Sequence, residues 1–310
     1  MLEAALLGTG GMMPLPHRYL TSLAVRQNGR LLLIDCGEGT QVTHTLLGWG
    51  FKNIDALCFT HFHADHISGL PGFLLAMGNS GRTEPVTITG PAGVENVVRC
   101  LLVIARDLPF DINFQELKRE RGQALSVKCG EFDVSAYPVW HGTPCFAYGV
   151  SLPRLGKFDA ERAKALGIPV RAWNKLQHGA EVELEGRLYT PDMVMGEPRK
   201  GLKIAYCTDT RPVAGLDGFV RGADLFICEG LYAENEMREK AAAHKHMVFA
   251  EAAKIARDGG VEELWLTHFS PAMGNPGEGI RFAREVFRNS HAGFDRKTKI
   301  LRFEDEEADF

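Results

Sequence analysis

The run Thr60-His61-Phe62-His63-Ala64-Asp65-His66 constrains this chain more than any other stretch. It sets three imidazoles and a carboxylate within a few positions, directly after Ile54-Asp55-Ala56-Leu57-Cys58-Phe59. That apolar run has the length and composition of a buried strand. His61 and His63 lie two apart, so in extended backbone they point the same way. Asp65 and His66 come next, just ahead of the apolar segment 67–77, which reads as the start of a helix. One short turn can therefore face two neighbouring metal ions with different pairs of ligands. Structural zinc sites close four positions, often with cysteine, whereas His and Asp ligands with open positions suit a metal-activated water.

Other predicted strands end in the same kind of residue. Segments 4–7, 22–25, 30–34, 54–59, 86–89, 132–139, 203–207, 224–228 and 263–266 read as strands, with a hairpin at Asn28-Gly29. Helices are expected over 41–47, 95–105 and 248–257. His61, His141, Asp209, Glu229 and His268 all fall at the C-terminal tips of predicted strands. Sites in layered α/β folds collect at such edges, where loops meet water over a rigid sheet. The pattern predicts one domain over 1–310, with two sheets faced by helices. The Gly- and Pro-rich segment 151–200 interrupts it as an inserted arm.

Two divalent ions about 3.5–4 Å apart need a bridging anion to offset their repulsion. Asp209, at the tip of Lys203-Ile204-Ala205-Tyr206-Cys207-Thr208, is the candidate bridge. The expected ligand sets are His61, His63, His141 and Asp209 on one ion, and Asp65, His66, Asp209 and His268 on the other. Neutral imidazole and carboxylate suit zinc, and ligand type alone also admits manganese or iron.

Composition narrows the setting. No stretch approaches the roughly 20 apolar residues that span a bilayer. The start, Met1-Leu2-Glu3-Ala4-Ala5-Leu6-Leu7-Gly8, lacks the basic region and long apolar core of a signal peptide. The seven cysteines form no C-x-x-C pair, and Cys36, Cys58, Cys207 and Cys228 sit in or beside apolar runs. This favours a cytoplasmic protein with free thiols over a disulfide framework. The net charge of −4 gives no global pull on nucleic acid, so a polyanion must be drawn by a local patch or by the metals. Residues 151–175 supply such a patch, with six basic residues, Arg171 and Lys175 among them, against two acids and beside Trp173.

The His run, Leu33-Ile34-Asp35-Cys36-Gly37-Glu38-Gly39-Thr40-Gln41, Asp209-Thr210-Arg211-Pro212 and Thr267-His268-Phe269-Ser270 together resemble ribonuclease Z. This is the tRNA 3′-processing branch of the metallo-β-lactamase superfamily, and the resemblance runs through nearly the whole chain. It implies a four-layer αβ/βα sandwich, two zinc ions, a homodimer, and endonucleolytic removal of 3′ trailers from tRNA precursors. It implies Asp65 as general base, and His246 oriented by Glu229 as proton donor to the leaving oxygen, with His244 a neighbouring alternative. In the segment the family uses to grip tRNA, Pro14 and Arg18 match, while Pro16 and Tyr19 replace Lys and Asn. Segments 167–174 and 245–247 also differ from the family pattern.

The chemistry follows from the residues as well. A water between two cations loses a proton readily, and the hydroxide so formed can attack phosphorus. The departures at 14–19 and 167–174 leave a second reading, a hydrolase of the same fold acting on a non-tRNA phosphodiester or on a thioester.

Overall fold

The computed structural model describes residues 1–120 and 122–303; the expected domain of 1–310 also takes in residues that lie outside these. By its internal contacts the chain forms two compact units. The first comprises Met1–Ser151 and Lys203–Arg302, and the second is built on Leu152–Leu202.

The first unit opens as a meander. β1 (Leu2–Gly8), β2 (Ser22–Gln27) and β3 (Arg30–Ile34) pair antiparallel. Asn28 and Gly29 turn the β2–β3 hairpin with φ of 50° and 77°, a conformation these two residue types adopt at least cost. The chain then switches to parallel pairing: β3, β4 (Ile54–Cys58), β5 (Val86–Pro91) and β6 (Ile112–Leu117) lie side by side. Their connections carry α1 (Thr40–Leu47), α2 (Ala64–Ile67), α3 (Leu70–Asn79) and α4 (Val94–Leu101). Every residue of β4 is buried, as expected of a parallel strand covered on both faces. On one face Leu31, Leu33, Leu57 and Ile88 pack with Phe73, Leu74, Met77 and Val98 from the helices. Each such fully buried side chain contributes about 1.5–3 kcal/mol.

The second sheet repeats the plan. β7 (Leu125–Cys129), β8 (Phe132–Trp140) and β9 (Pro144–Arg154) form an antiparallel meander. The second unit follows, with α5 (Ala160–Ala165), α6 (Val170–Gln177) and a hairpin of β10 (Val182–Leu184) and β11 (Arg187–Tyr189). It has a small core of its own, made by Ala163, Ile168, Ala172, Leu176, Tyr189 and Val194. Trp173 packs against Phe158 and donates its Nε1–H to the Ile168 carbonyl, so its ring is held within this unit's packing. The first unit resumes with β12 (Arg199–Cys207), α7 (Leu216–Val220), β13 (Leu225–Glu229), α8 (Arg238–His244), α9 (Phe249–Asp258), β14 (Leu264–Thr267) and β15 (Ser290–Ala292). Strands β12 to β15 are parallel. Cys207, Phe226, Cys228 and Leu266 pack with Phe249, Ala253 and Ala256 of α9. β16 (Thr298–Leu301) returns to pair with β1.

The strand orders are β16-β1-β2-β3-β4-β5-β6 and β15-β14-β13-β12-β9-β8-β7. The sheets meet through their inner faces: Tyr148 Oη donates to the Phe59 carbonyl at 2.9 Å, and Cys58 Sγ lies 3.5 Å from Cys129 Sγ. With helices outside each sheet, the unit is a four-layer αβ/βα sandwich. In each sheet the parallel strands carry their C-terminal ends to the same edge, where the turns that follow them gather.

Candidate metal centre

Seven side chains from four strand ends and one short helix converge at that edge. His61 and His63 follow β4, and Asp65 and His66 sit on α2. The helix expected over 67–77 is α3, which starts at Leu70, and a separate short turn of helix, α2, carries Asp65 and His66, with the His66 ring 4.2 Å from that of His61. His141 follows β8, Asp209 follows β12 and His268 follows β14. Ligand atoms of His61, His63, His141 and Asp209 all lie within 4.8 Å of one another, as do those of Asp65, His66 and His268.

Asp209 joins the two groups. Its Oδ2 faces His61 Nε2 at 3.6 Å and His141 Nε2 at 3.7 Å. Its Oδ1 faces His66 Nε2 at 3.2 Å and His268 Nε2 at 3.1 Å. One carboxylate thus offers one oxygen to each cluster. His61 Nε2 and Asp209 Oδ1 are both buried and lack a hydrogen-bond partner of good geometry. Buried polar atoms are rarely left so, which fits a pair of sites built for cations. Carboxylate oxygens and imidazole nitrogens are donors that suit a divalent metal ion.

The backbone is strained where the cluster is held. Asp209 (φ 39°) and His268 (φ 57°) adopt left-handed conformations, as does Asp35 (φ 61°). Each costs on the order of 1–3 kcal/mol and persists only where neighbours enforce it. Space is equally tight: a Cβ on Gly11 would lie 2.6 Å from His268 Cε1, and one on Gly37 would lie 2.3 Å from the Asp65 carbonyl oxygen.

The charges are mutually arranged. Burial keeps His61 well below the usual imidazole range, helped by the charge of His66, so its nitrogen is free to ligate. Burial also opposes a charge on His66, but Asp209 and Asp35 outweigh it and raise His66 well above that range. Asp65 and Asp209 are pushed up by burial, yet the surrounding histidines hold both below the ordinary carboxylate range. Asp65 Oδ2 also accepts the Met12 backbone N–H at 2.6 Å.

Asp35 and Thr60 are the site residues to which the sequence alone attached no role. Asp35 is fully buried; its Oδ2 lies 2.8 Å from His66 Nδ1, and its Oδ1 accepts the Thr60 backbone N–H at 2.8 Å. A carboxylate on the outer nitrogen of a ligating histidine fixes the ring and its tautomer. The available signal was its position, at the tip of β3 beside the tip of β4.

His246 completes the edge. Its Nδ1 lies 3.2 Å from both Oε1 and Oε2 of buried Glu229, which also accepts the backbone N–H groups of Thr210 (2.6 Å) and Met247 (3.1 Å). Burial would lower the His246 pKa, but the Glu229 charge and hydrogen bonds win and raise it to about 9. Its ring stacks on His268 with centroids 5.5 Å apart, and it lies within ligand distance of Asp209 and His268. The alternative, His244, ends α8 as an exposed residue. Arg211 braces the loop by donating to the His246 carbonyl (2.6 Å) and pairing with both oxygens of Glu251 (2.8 and 2.5 Å).

The three residues expected to touch substrate belong to different units. Arg18 donates to the carbonyls of Ser270 (3.3 Å) and Gly274 (2.8 Å) and lies over Phe269, supporting the loop after His268. Arg171 and Lys175 are exposed on α6 of the second unit. Among the described residues no helix is long and apolar enough to cross a membrane.

Two sheets that bring a His/Asp cluster to a shared edge define a metal-dependent hydrolase of the metallo-β-lactamase fold. The fold agrees with the crystal structure of human tRNase Z, short form (TM-score 0.70, 22% identity, covering 97% of this chain and 100% of that one). It agrees also with the metallo-β-lactamase fold protein YhfI from Bacillus subtilis (TM-score 0.66, 19% identity, covering 96% and 98%). The family model for Anti-Pycsar protein Apyc1 matches residues 2–98. At the level of sequence, the chain is 52% identical to Ribonuclease Z of Lachnospira eligens, covering 99% of this chain and 100% of that protein. It is 51% identical to Ribonuclease Z of Clostridium acetobutylicum, covering 98% and 99%. The chain belongs to the ribonuclease Z family.

Proposed function

We propose that the protein is a zinc-dependent phosphodiesterase that removes 3′ trailers from tRNA precursors as an endoribonuclease. The observation that carries the chemistry is the split of Asp209, one oxygen toward each of two ligand clusters. The tRNA substrate rests on family membership, with relatives named Ribonuclease Z and a structural neighbour named tRNase Z. His61, His63, His141 and Asp209 would hold one ion, and Asp65, His66, Asp209 and His268 the other. Metal ions bound there would supply an activated water for attack on phosphorus and positive charge to offset that growing on the phosphoryl oxygens.

The chain's own groups serve the remaining steps. Asp65, held ionised by His268 and His66, is the acceptor for the proton that the attacking water gives up. His246 carries a proton at neutral pH because Glu229 faces its Nδ1, and it delivers one to the leaving 3′-oxygen. Asp35, Thr60 and Arg211 fix the rings and loops that these groups stand on. The free, mostly buried cysteines support a reducing cytoplasm, and the family resemblance supports a homodimer.

The test is a cleavage assay on a trailer-bearing tRNA precursor beside a small diester, at two ionic strengths and with metal content measured. Cleavage at the trailer junction, lost together with bound zinc in His63→Ala, is the expected result. Cleavage of the small diester with no action on the precursor would move the substrate to the second reading. Full activity of His63→Ala with unchanged zinc would refute the ligand assignment.

A further inference from the structure

Trp140 ends β8 and immediately precedes His141. Its side chain is 50% exposed, uncommon for so large an apolar group. Its backbone, by contrast, is fixed. The Trp140 N–H donates to Thr210 Oγ1 at 3.0 Å, and its carbonyl accepts the Arg211 N–H at 3.1 Å. The indole therefore stands on a rigid mount whose neighbours in sequence, His141 on one side and Asp209 across the bridge, belong to the ligand cluster.

Lys245 completes the arrangement. Its ammonium lies 6.0 Å from the Trp140 ring centroid, while its carbonyl lies 3.3 Å from His141 Nδ1. It also precedes His246, whose ring lies 5.1 Å from that of His141. An exposed aromatic face and a cation thus border the same two histidines. Trp140 also lines a cavity of about 390 Å³, with Arg119, Pro138 and Val213 in its wall. A ring and a cation beside a phosphodiester centre are the two parts of a single-stranded nucleic-acid subsite.

We propose that Trp140 is the stacking platform for the nucleobase adjoining the scissile phosphodiester, with Lys245 meeting the neighbouring phosphate. This assignment rests on the ribonuclease reading above and names how the enzyme holds the nucleotide at the cut. Stacking tolerates any base, because every base offers a π-face. A chain of net charge −4 has little long-range attraction for RNA, so a short-range contact of this kind bears more of the grip at the centre.

The test is a double-perturbation cycle with the zinc-loaded enzyme. Trp140→Ala should lower kcat/KM on a trailer-bearing precursor about tenfold, chiefly through KM, and Trp140→Phe should recover most of it. Bound zinc should equal that of the wild type in both variants. Precursors with an abasic nucleotide on the 5′ or the 3′ side of the cut identify the stacked base. At that side the abasic substrate should slow the wild type about tenfold and leave Trp140→Ala unaffected. Additive losses at both sides, or equal losses for the Phe and Ala variants, would overturn the stacking role. Normal cleavage by Trp140→Ala would overturn it while leaving the proposed function intact. A wild-type enzyme that leaves the intact precursor uncut would overturn both.

Discussion

Arg211→Ala is the most informative single perturbation of the loop that carries His246. The guanidinium bonds both oxygens of Glu251 and the His246 carbonyl, with side-chain exposures of only 15% for Arg211 and 13% for Glu251. Removing one member of a buried, hydrogen-bonded pair costs about 3–5 kcal/mol, because the partner's charge is left uncompensated. Here Glu251 keeps the Val248 N–H at 3.1 Å and a looser contact with Arg238 at 3.7 Å. The loss should therefore fall at the lower end, about 3 kcal/mol. With a urea m-value of about 3 kcal/mol/M, the midpoint would drop by about 1 M. Lysine cannot span two oxygens and a carbonyl from one planar head, so Arg211→Lys should restore only part of the loss. Because the same bonds set the position of His246, kcat should fall by about 10- to 100-fold with KM little changed. Equilibrium urea unfolding and steady-state kinetics on a trailer-bearing precursor measure the two effects. An Arg211→Ala protein within about 0.5 kcal/mol of the wild type, with normal kcat, would show that the brace does not hold the loop.

Three further outcomes are expected. In metal-stripped protein, NMR titration should place the His246 imidazole at about 9, and Glu229→Gln should bring it down toward about 6.5; an unmoved titration would remove Glu229 as the cause. Gly11→Ala should force the His268 ring aside and lower bound metal while circular dichroism stays native, and an unchanged metal content would contradict the 2.6 Å approach. Burial opposes ionisation of Glu263, but the hydrogen bonds from Lys299 and Trp265 hold it below its usual value of 4.5. A lowered carboxylate stabilises the fold above that value and ceases to do so as pH falls through the folded pKa. Glu263→Gln should accordingly be less stable than the wild type at pH 7 and converge with it in strong acid; a constant gap across that range would refute the linkage.

The parallel strands were the most legible part of the fold. β4, β13, β14 and the last four residues of β12 are buried throughout, so apart from Asp55 their sequences are short apolar runs that end abruptly in polar residues. Edge and meander strands were less so. β6, at a sheet edge, is exposed or half-buried at every position but Leu117 and carries Asn113, Gln115 and Glu116. β9 begins at Pro144, only three residues past His141, and reads as a loop until its pairing with β8 is seen. The 151–200 segment has no long apolar run because its core is six residues gathered from two short helices, a hairpin and the loops beside them.

For the site, residue type and position were enough to nominate His61, His63, Asp65, His66, His141, Asp209 and His268 as candidate ligands, and the structure brings their ligand atoms together. The sequence could not assign Asp35, Thr60 or Arg211 their roles, because a buried carboxylate behind a histidine and a guanidinium behind a loop act through contacts across 25, 31 and 40 positions. Local patterning decides which side chains can bind an ion. Only the closing of two sheets on one another decides which of them face it, and which unlabelled neighbours hold them there.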